Sequence, residues 1–158
     1  MIWNIVSDSS CDLMQRDFTS NRVRFEVVPL RIQVGEREFV DDDELVVPDL
    51  LAAMAEEKGP SSTACPSPAA FAKAFAAGDK TVCFTISGNL SGTSNAAVMG
   101  REMALEEHPE KQILVMDSRA AAGSMVLLIR RAQALIEEGA DFETVCGQLH
   151  AYHGSLRT

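Results

Sequence analysis

Three short apolar runs, each broken off by a polar cluster, set the rhythm of the chain: MIWNIVSD at the start, KTVCFTIS from residue 80 and KQILVMDS from residue 111. Such runs, with β-branched residues and no alternation, predict strands covered on both faces. Between and after them the apolar positions recur at helical spacing. A helix is expected from Pro48, which suits a first helical position, to the stop signal Gly59-Pro60. A second is expected from Pro68 behind a Ser67 N-cap, with Phe71 and Phe75 turned inward and Gly78 closing it. SGTSNAAVMGREMALEEH, RAAAGSMVLLIRRAQALIEEG and DFETVCGQLHAYHG read as three more, the last capped by Asp141 with Phe142, Val145 and Leu149 on one face. CDLMQRDF carries Leu13, Met14 and Phe18 at helical spacing, so a helix is expected there too. VRFEVVPLRIQVGEREFV gives two β-rich runs around Gly35, with Pro29 at a bend, whereas PSSTACPSP reads as loop. Strands alternating with helices predict a three-layer α/β fold: a mostly parallel sheet with helices on both faces and right-handed crossovers, residues 1–158 forming one domain.

Composition narrows what such a domain can do. The 158 residues are 46% hydrophobic, enough for a real core. A formal charge of −9 without a basic cluster excludes nucleic acid and anionic membrane as constitutive partners, because both select a basic face. Charge or glycine interrupts every apolar stretch within a few residues, so no stable membrane insertion and no signal-peptide core are expected; the reading is a cytoplasmic protein. The four cysteines, Cys11, Cys65, Cys83 and Cys146, show neither a C-x-x-C pair nor a zinc-like partner set and read as reduced thiols. DDDE at 41–44 lacks the alternating ligands and glycine of a calcium loop and reads as a solvated turn; no metal site and no cofactor are expected.

Ligands of open α/β sheets bind beyond the carboxyl ends of the strands, which directs attention to three loops. Ser7-Asp8-Ser9-Ser10 follows the first strand, Ser87-Gly88-Asn89-Leu90-Ser91-Gly92-Thr93 the second and Asp117-Ser118 the third. Any one of them reads as ordinary capping and turning; three at one edge, opening into a helix, read as a cradle for an anion. Ser91 is not specified as a nucleophile, because Gly88-Asn89-Leu90-Ser91-Gly92 departs from G-x-S-x-G and no histidine is placed beside it. G-x-x-x-x-G-K-[ST] and G-x-G-x-x-G are absent, so nucleotide binding of those kinds is unsupported. An enzymatic alternative stays open: a hydrolase or phosphoryl-transfer protein working through these hydroxyls, with Asp8 or Asp117 as base or metal ligand.

Taken in order, IVSDSSCDL, VVPLRIQVGEREFVDDDEL, SSTACPSPAAF, ISGNLSGTSNAAVMG and MDSRAAAGSMVLLIRRAQALIEEG resemble the DegV family of bacterial fatty-acid-binding proteins. The resemblance implies a carrier that does no chemistry itself: it holds a long-chain fatty acid by the carboxylate while a partner fatty acid kinase phosphorylates it. It also implies that Thr63 and Ser91 hold the head group. Backbone amides at Gly92 and Thr93 could add donors, with Ser9, Ser87 and Ser118 as supporting shell. Thr63-Ala64-Cys65 stands where the family more often has Thr-Ser-Gln. Phe71, Phe75, Leu90, Met99 and Met125 are the kind of residue that lines an acyl tunnel, although each reads first as core. Family members are nearly twice as long, with the lipid between two domains, so the chain is expected to be the first domain of such a protein. The second domain would then be missing, or a homo-oligomer would cover the apolar strip left open; an inactive isolated domain is the blandest alternative.

Overall fold

A computed structural model describes residues 1–156. The three apolar runs form β1 (Trp3–Asp8), β6 (Lys80–Thr85) and β7 (Gln112–Asp117), and β2 (Val23–Val28) joins them. Their order is β2-β1-β6-β7, all parallel, with Ile5 level with Phe25 and Val82 across the sheet. Two helices cover one face: α2 (Pro68–Ala76) and α3 (Thr93–Glu107). There Phe71, Phe75 and Ala97 pack on Val6 and Cys83. The other face is covered by α4 (Gly123–Glu137) and α5 (Phe142–Ser155), whose Met125, Leu128, Ile129, Val145 and Leu149 pack on Ile5 and Val82. The expected three layers are therefore present, and α2 and α5 carry the expected caps: Ser67 Oγ accepts Ala70 N–H and the Asp141 carboxylate accepts Thr144 N–H. Burial is continuous from Asn4 to Asp8, as a strand covered on both sides requires.

Three local expectations are corrected. CDLMQRDF forms no α-helix but two single 3-10 turns, Ser9–Cys11 and Gln15–Asp17. Asp12 between them is left-handed, with φ of 57°, and the Asp17 carboxylate accepts Met14 N–H. Leu13 and Phe18 still reach the core, by packing rather than by periodicity. The segment read as loop contains β5 (Ser62–Ala64), a polar strand held only by its partner. The two runs around Gly35 are three strands: β2 and the hairpin β3 (Arg31–Val34) and β4 (Arg37–Val40), with Gly35 at φ of 58° in the turn. The hairpin and β5 make a second, antiparallel sheet of order β4-β3-β5, packed on α1 (Val47–Glu56) through Val34, Leu50 and Ala53.

The main sheet places the functional edge. The chain leaves β1 for β2 on one side and returns to β6 on the other, so the loops after β1 and β6 diverge and open a crevice between them.

Candidate functional site

At this crevice the second loop is wound on Ser87. Its carbonyl accepts the N–H groups of Leu90 at 2.9 Å and Ser91 at 3.2 Å, and its hydroxyl accepts Asn89 N–H at 3.3 Å. The turn delivers Ser91 and Gly92 to the first turn of α3, where amide N–H groups lack intrahelical acceptors. Ser91 Oγ accepts one of them, Thr93 N–H, at 3.2 Å and shares a hydrogen bond with Thr93 Oγ1 at 2.8 Å. Thr93 is fully buried; Ser91 is half-buried and Gly92 exposed. Among the described residues no histidine hydrogen-bonds Ser91: His153 Nε2 donates to the Ser118 carbonyl at 2.9 Å instead, and His108 lies 3.7 Å from Glu110.

Two clefts flank this turn. One, of about 540 Å³, is polar, lined by Ser91, Ser94, Asn89 and the Asp117 carboxylate among others. The other, of about 500 Å³, is more apolar and runs over Val28, Pro29, Val40, Pro66, Ala96 and Met99, with Arg31 and Cys65 also in its wall. Gly92 and Asn95 line both. A methyl group on Gly92 would stand 3.7 Å from the Cys65 sulfur, so the segment carrying Thr63 and the segment carrying Ser91 do meet.

The predicted residues fare differently in detail. Of the consecutive Ser91, Gly92 and Thr93, Ser91 lines the polar cleft, Gly92 lines both, and the buried Thr93 lines neither. Ser9, Ser87 and Ser118 are buried: Ser9 Oγ reaches out of its loop to accept Leu30 N–H, between β2 and β3, at 3.0 Å, whereas the Ser87 and Ser118 hydroxyls are engaged inside their own loops, Ser118 Oγ donating to the Ala120 carbonyl at 3.1 Å. Thr63 is exposed on β5, directly opposite Ile32. Opposed residues of an antiparallel pair share a face, and Ile32 and Phe39 face the α1 core, whereas Arg31 and Val40 in the next row wall the apolar groove. The neighbour Cys65, and not Thr63, lines that groove. Of the five apolar candidates Met99 is in the groove wall, Leu90 is 71% exposed on the turn, and Phe71, Phe75 and Met125 are core.

Two carboxylates that end strands hold the loops, a role the sequence hints at only by placing each at a strand terminus. Asp117 accepts Gly88 N–H at 3.1 Å and Arg119 N–H at 2.8 Å. Asp8 accepts Ile86 N–H at 2.7 Å, Ser10 N–H at 3.0 Å and the Ser10 hydroxyl. Burial holds the Asp8 carboxyl above the ordinary carboxylate range, against the opposing pull of those hydrogen bonds. Burial also raises the Cys83 thiol well above its usual value and Cys11 less so, which leaves Cys65 as the exposed thiol beside the site.

Hydroxyl and amide donors thus lie at the topological switch point of a parallel α/β sheet, next to a groove of apolar side chains. The chain belongs to the DegV family: the family model described as "Uncharacterised protein, DegV family" matches residues 2–158. A DegV domain-containing protein of Streptococcus pyogenes serotype M1 is 40% identical over 157 residues, which is 99% of this chain and 56% of that protein. The crystal structure of the Streptococcus pneumoniae Fatty Acid Kinase (Fak) B3 protein loaded with linoleic acid superimposes with a TM-score of 0.93 at 37% identity, over 98% of this chain and 55% of that one. A DegV family protein from Eubacterium eligens loaded with heptadecanoic acid gives a TM-score of 0.88 at 36% identity, over 96% and 54%. The chain thus spans about half the length of the relatives it matches. No helix among the described residues is long and apolar enough to cross a membrane.

Proposed function

We propose that the chain is a fatty-acid-binding domain of a cytoplasmic carrier. Ser91 and the Gly92 amide hold the carboxylate of a long-chain acid, the Thr93 N–H orients the Ser91 hydroxyl to which it donates, Thr63 contributes from the rim, and the acyl chain lies along the apolar groove. Ser9, Ser87 and Ser118 keep the three loops in shape. The carboxylate is offered to a separate fatty acid kinase, and the domain performs no bond-making itself. The observation that carries this reading is the position of the Ser91–Gly92 turn between a polar and an apolar cleft, with Gly92 and Asn95 in both walls. The relatives loaded with linoleic and heptadecanoic acid, and the kinase in the name of one of them, support it. Energetics are compatible: at about 0.8 kcal/mol per buried methylene, a long acyl chain yields on the order of 10 kcal/mol before association costs, so neutral donors suffice at the head.

The test is native mass spectrometry of delipidated protein re-exposed to mixed fatty acids. A long-chain acid should be retained by the wild type and lost in Ser91→Ala. Thr63→Ala should weaken retention less, because its strand register turns it toward the α1 side of the small sheet. Hydrolysis of an ester, abolished by Ser91→Ala alone, would overturn the carrier reading in favour of a hydrolase.

A further inference from the structure

Asp8 ends β1 with no exposed surface, and among the described residues it has no cationic partner. Burying a carboxylate without a counter-ion is costly unless hydrogen bonds replace water. Here they do so from two directions. Oδ2 takes Ile86 N–H at 2.7 Å, from the loop after β6, while Oδ1 takes the N–H and the hydroxyl of Ser10, in the loop after β1. Each partner leads one step further. Ile86 immediately precedes Ser87, whose N–H reaches the Ala120 carbonyl at 2.9 Å and whose own carbonyl winds the turn that presents Ser91. The Ser10 carbonyl accepts Ala122 N–H at 2.9 Å, which ties in the loop after β7. Asp8 thus joins the loops after β1 and β6 through one buried side chain, and each of these is hydrogen-bonded in turn to the loop after β7.

We propose that Asp8 is the positioning residue of the acid-end site: its carboxylate sets where the 86–92 turn, and with it Ser91, stands relative to the loops after β1 and β7. The proposal rests on the fatty-acid reading above for its ligand, but the clamp itself can be measured without one. A buried carboxylate at this point does what a hydroxyl or amide cannot, since it accepts from both loops at once without bringing a donor that would itself need a partner.

Asp8→Ala, Asp8→Asn and, as a control for stability, Asn4→Ala should be compared with wild type. Asn4 lies at the other end of the same strand, where its Nδ2 donates to the Ala74 carbonyl at 3.0 Å. Affinity is read by titration with cis-parinaric acid, stability by urea melts, and the clamp by backbone amide exchange at Ile86, Leu90 and Ser91. In folded protein Asp8→Ala should weaken binding about tenfold or more and Asp8→Asn about threefold, since asparagine keeps one acceptor. Exchange at the three amides should quicken in both. Asn4→Ala should lower stability while leaving affinity and those amides unchanged. Should Asp8→Ala fail to fold, Asp8→Asn carries the test. Unchanged exchange at Ile86 and Ser91 in Asp8→Asn, or affinity losses that track stability equally in all three variants, would overturn the proposal. If wild type does not bind the probe yet exchange still quickens in the Asp8 variants, the clamp stands and the fatty-acid reading falls.

Discussion

Single residues at the functional edge are held in conformations that their side chains do not favour. Ala122 has φ of 52° and ψ of −115°, a region that suits glycine, and Arg119 three residues earlier is also at positive φ, 53°. The backbone is kept there because Ala122 N–H bonds the Ser10 carbonyl while its own carbonyl accepts the N–H groups of Met125 and Val126, starting α4. A non-glycine residue in such a region costs of order 1–3 kcal/mol, while glycine loses roughly 0.5–1 kcal/mol more than alanine in chain entropy on folding. The strain is the larger of the two. Ala122→Gly should therefore stabilise the protein by about 1 kcal/mol and raise the melting temperature by about 2–4 °C. A thermal melt that shows no gain, or a loss, would mean that the loop is relaxed as it stands.

At the scale of elements, what was legible in the sequence was what local chemistry decides. Ser67-Pro68 and Asp141 started helices where capping chemistry says they should, and the runs at β1, β6 and β7 became covered strands because no other element hides so continuous an apolar stretch. The misreadings were those in which distant partners decide. Polar Ser62–Ala64 becomes a strand only because Arg31, Ile32 and Gln33 stand beside it, and Leu13 and Phe18 reach the core from single 3-10 turns. The placement of the candidate residues divides along the same line: that Ser91, Gly92 and Thr93 stand together follows from one loop and the helix it opens, whereas the side to which Thr63 faces depends on strand register. The contact between α2 and α3 likewise rests on a residue whose importance only the fold reveals. A Cβ on Gly100 of α3 would stand 2.6 Å from the Pro68 carbonyl oxygen and 2.7 Å from Phe71 Cβ, both on α2. Alanine in place of glycine gains up to about 1 kcal/mol of helix propensity, but the clash is with backbone that cannot swing aside, and overpacking costs about 1–3 kcal/mol. Gly100→Ala should therefore be net destabilising by about 1–2 kcal/mol in urea melts. An unchanged or raised midpoint would mean that α2 and α3 slide apart freely.

For the whole molecule, the surface presents apolar side chains that this chain leaves uncovered. Leu90 is 71% exposed and Met99 58%, with Val98 and Met103 each at 42% on the same helix as Met99. Leu90 and Met99 lie at the candidate site, one on the turn and one in the groove wall. Single exposed apolar residues are ordinary, but three on one helix, with Met99 in the groove wall, form a surface that water disfavours and another layer would cover. Relatives of nearly twice the length make a second domain the natural cover, and a second copy of the chain is the other. The chain on its own should therefore bind an apolar dye such as ANS, and its elution volume should shift toward larger species with rising concentration. If the fatty-acid reading proposed above is right, saturation with a long-chain fatty acid should reduce both effects, because the acyl chain would occupy the groove that Met99 lines. The dependence on the acid separates this account from general stickiness: dye binding and association that stay the same with and without fatty acid would place the exposed apolar surface elsewhere than at the groove. A concentration-independent monomer that binds no dye would show that these side chains need no cover. Substituting Met99→Glu should lower dye binding and fatty-acid affinity together while sparing stability, since Met99 is already largely in water and the cost of a charge falls only on an apolar guest.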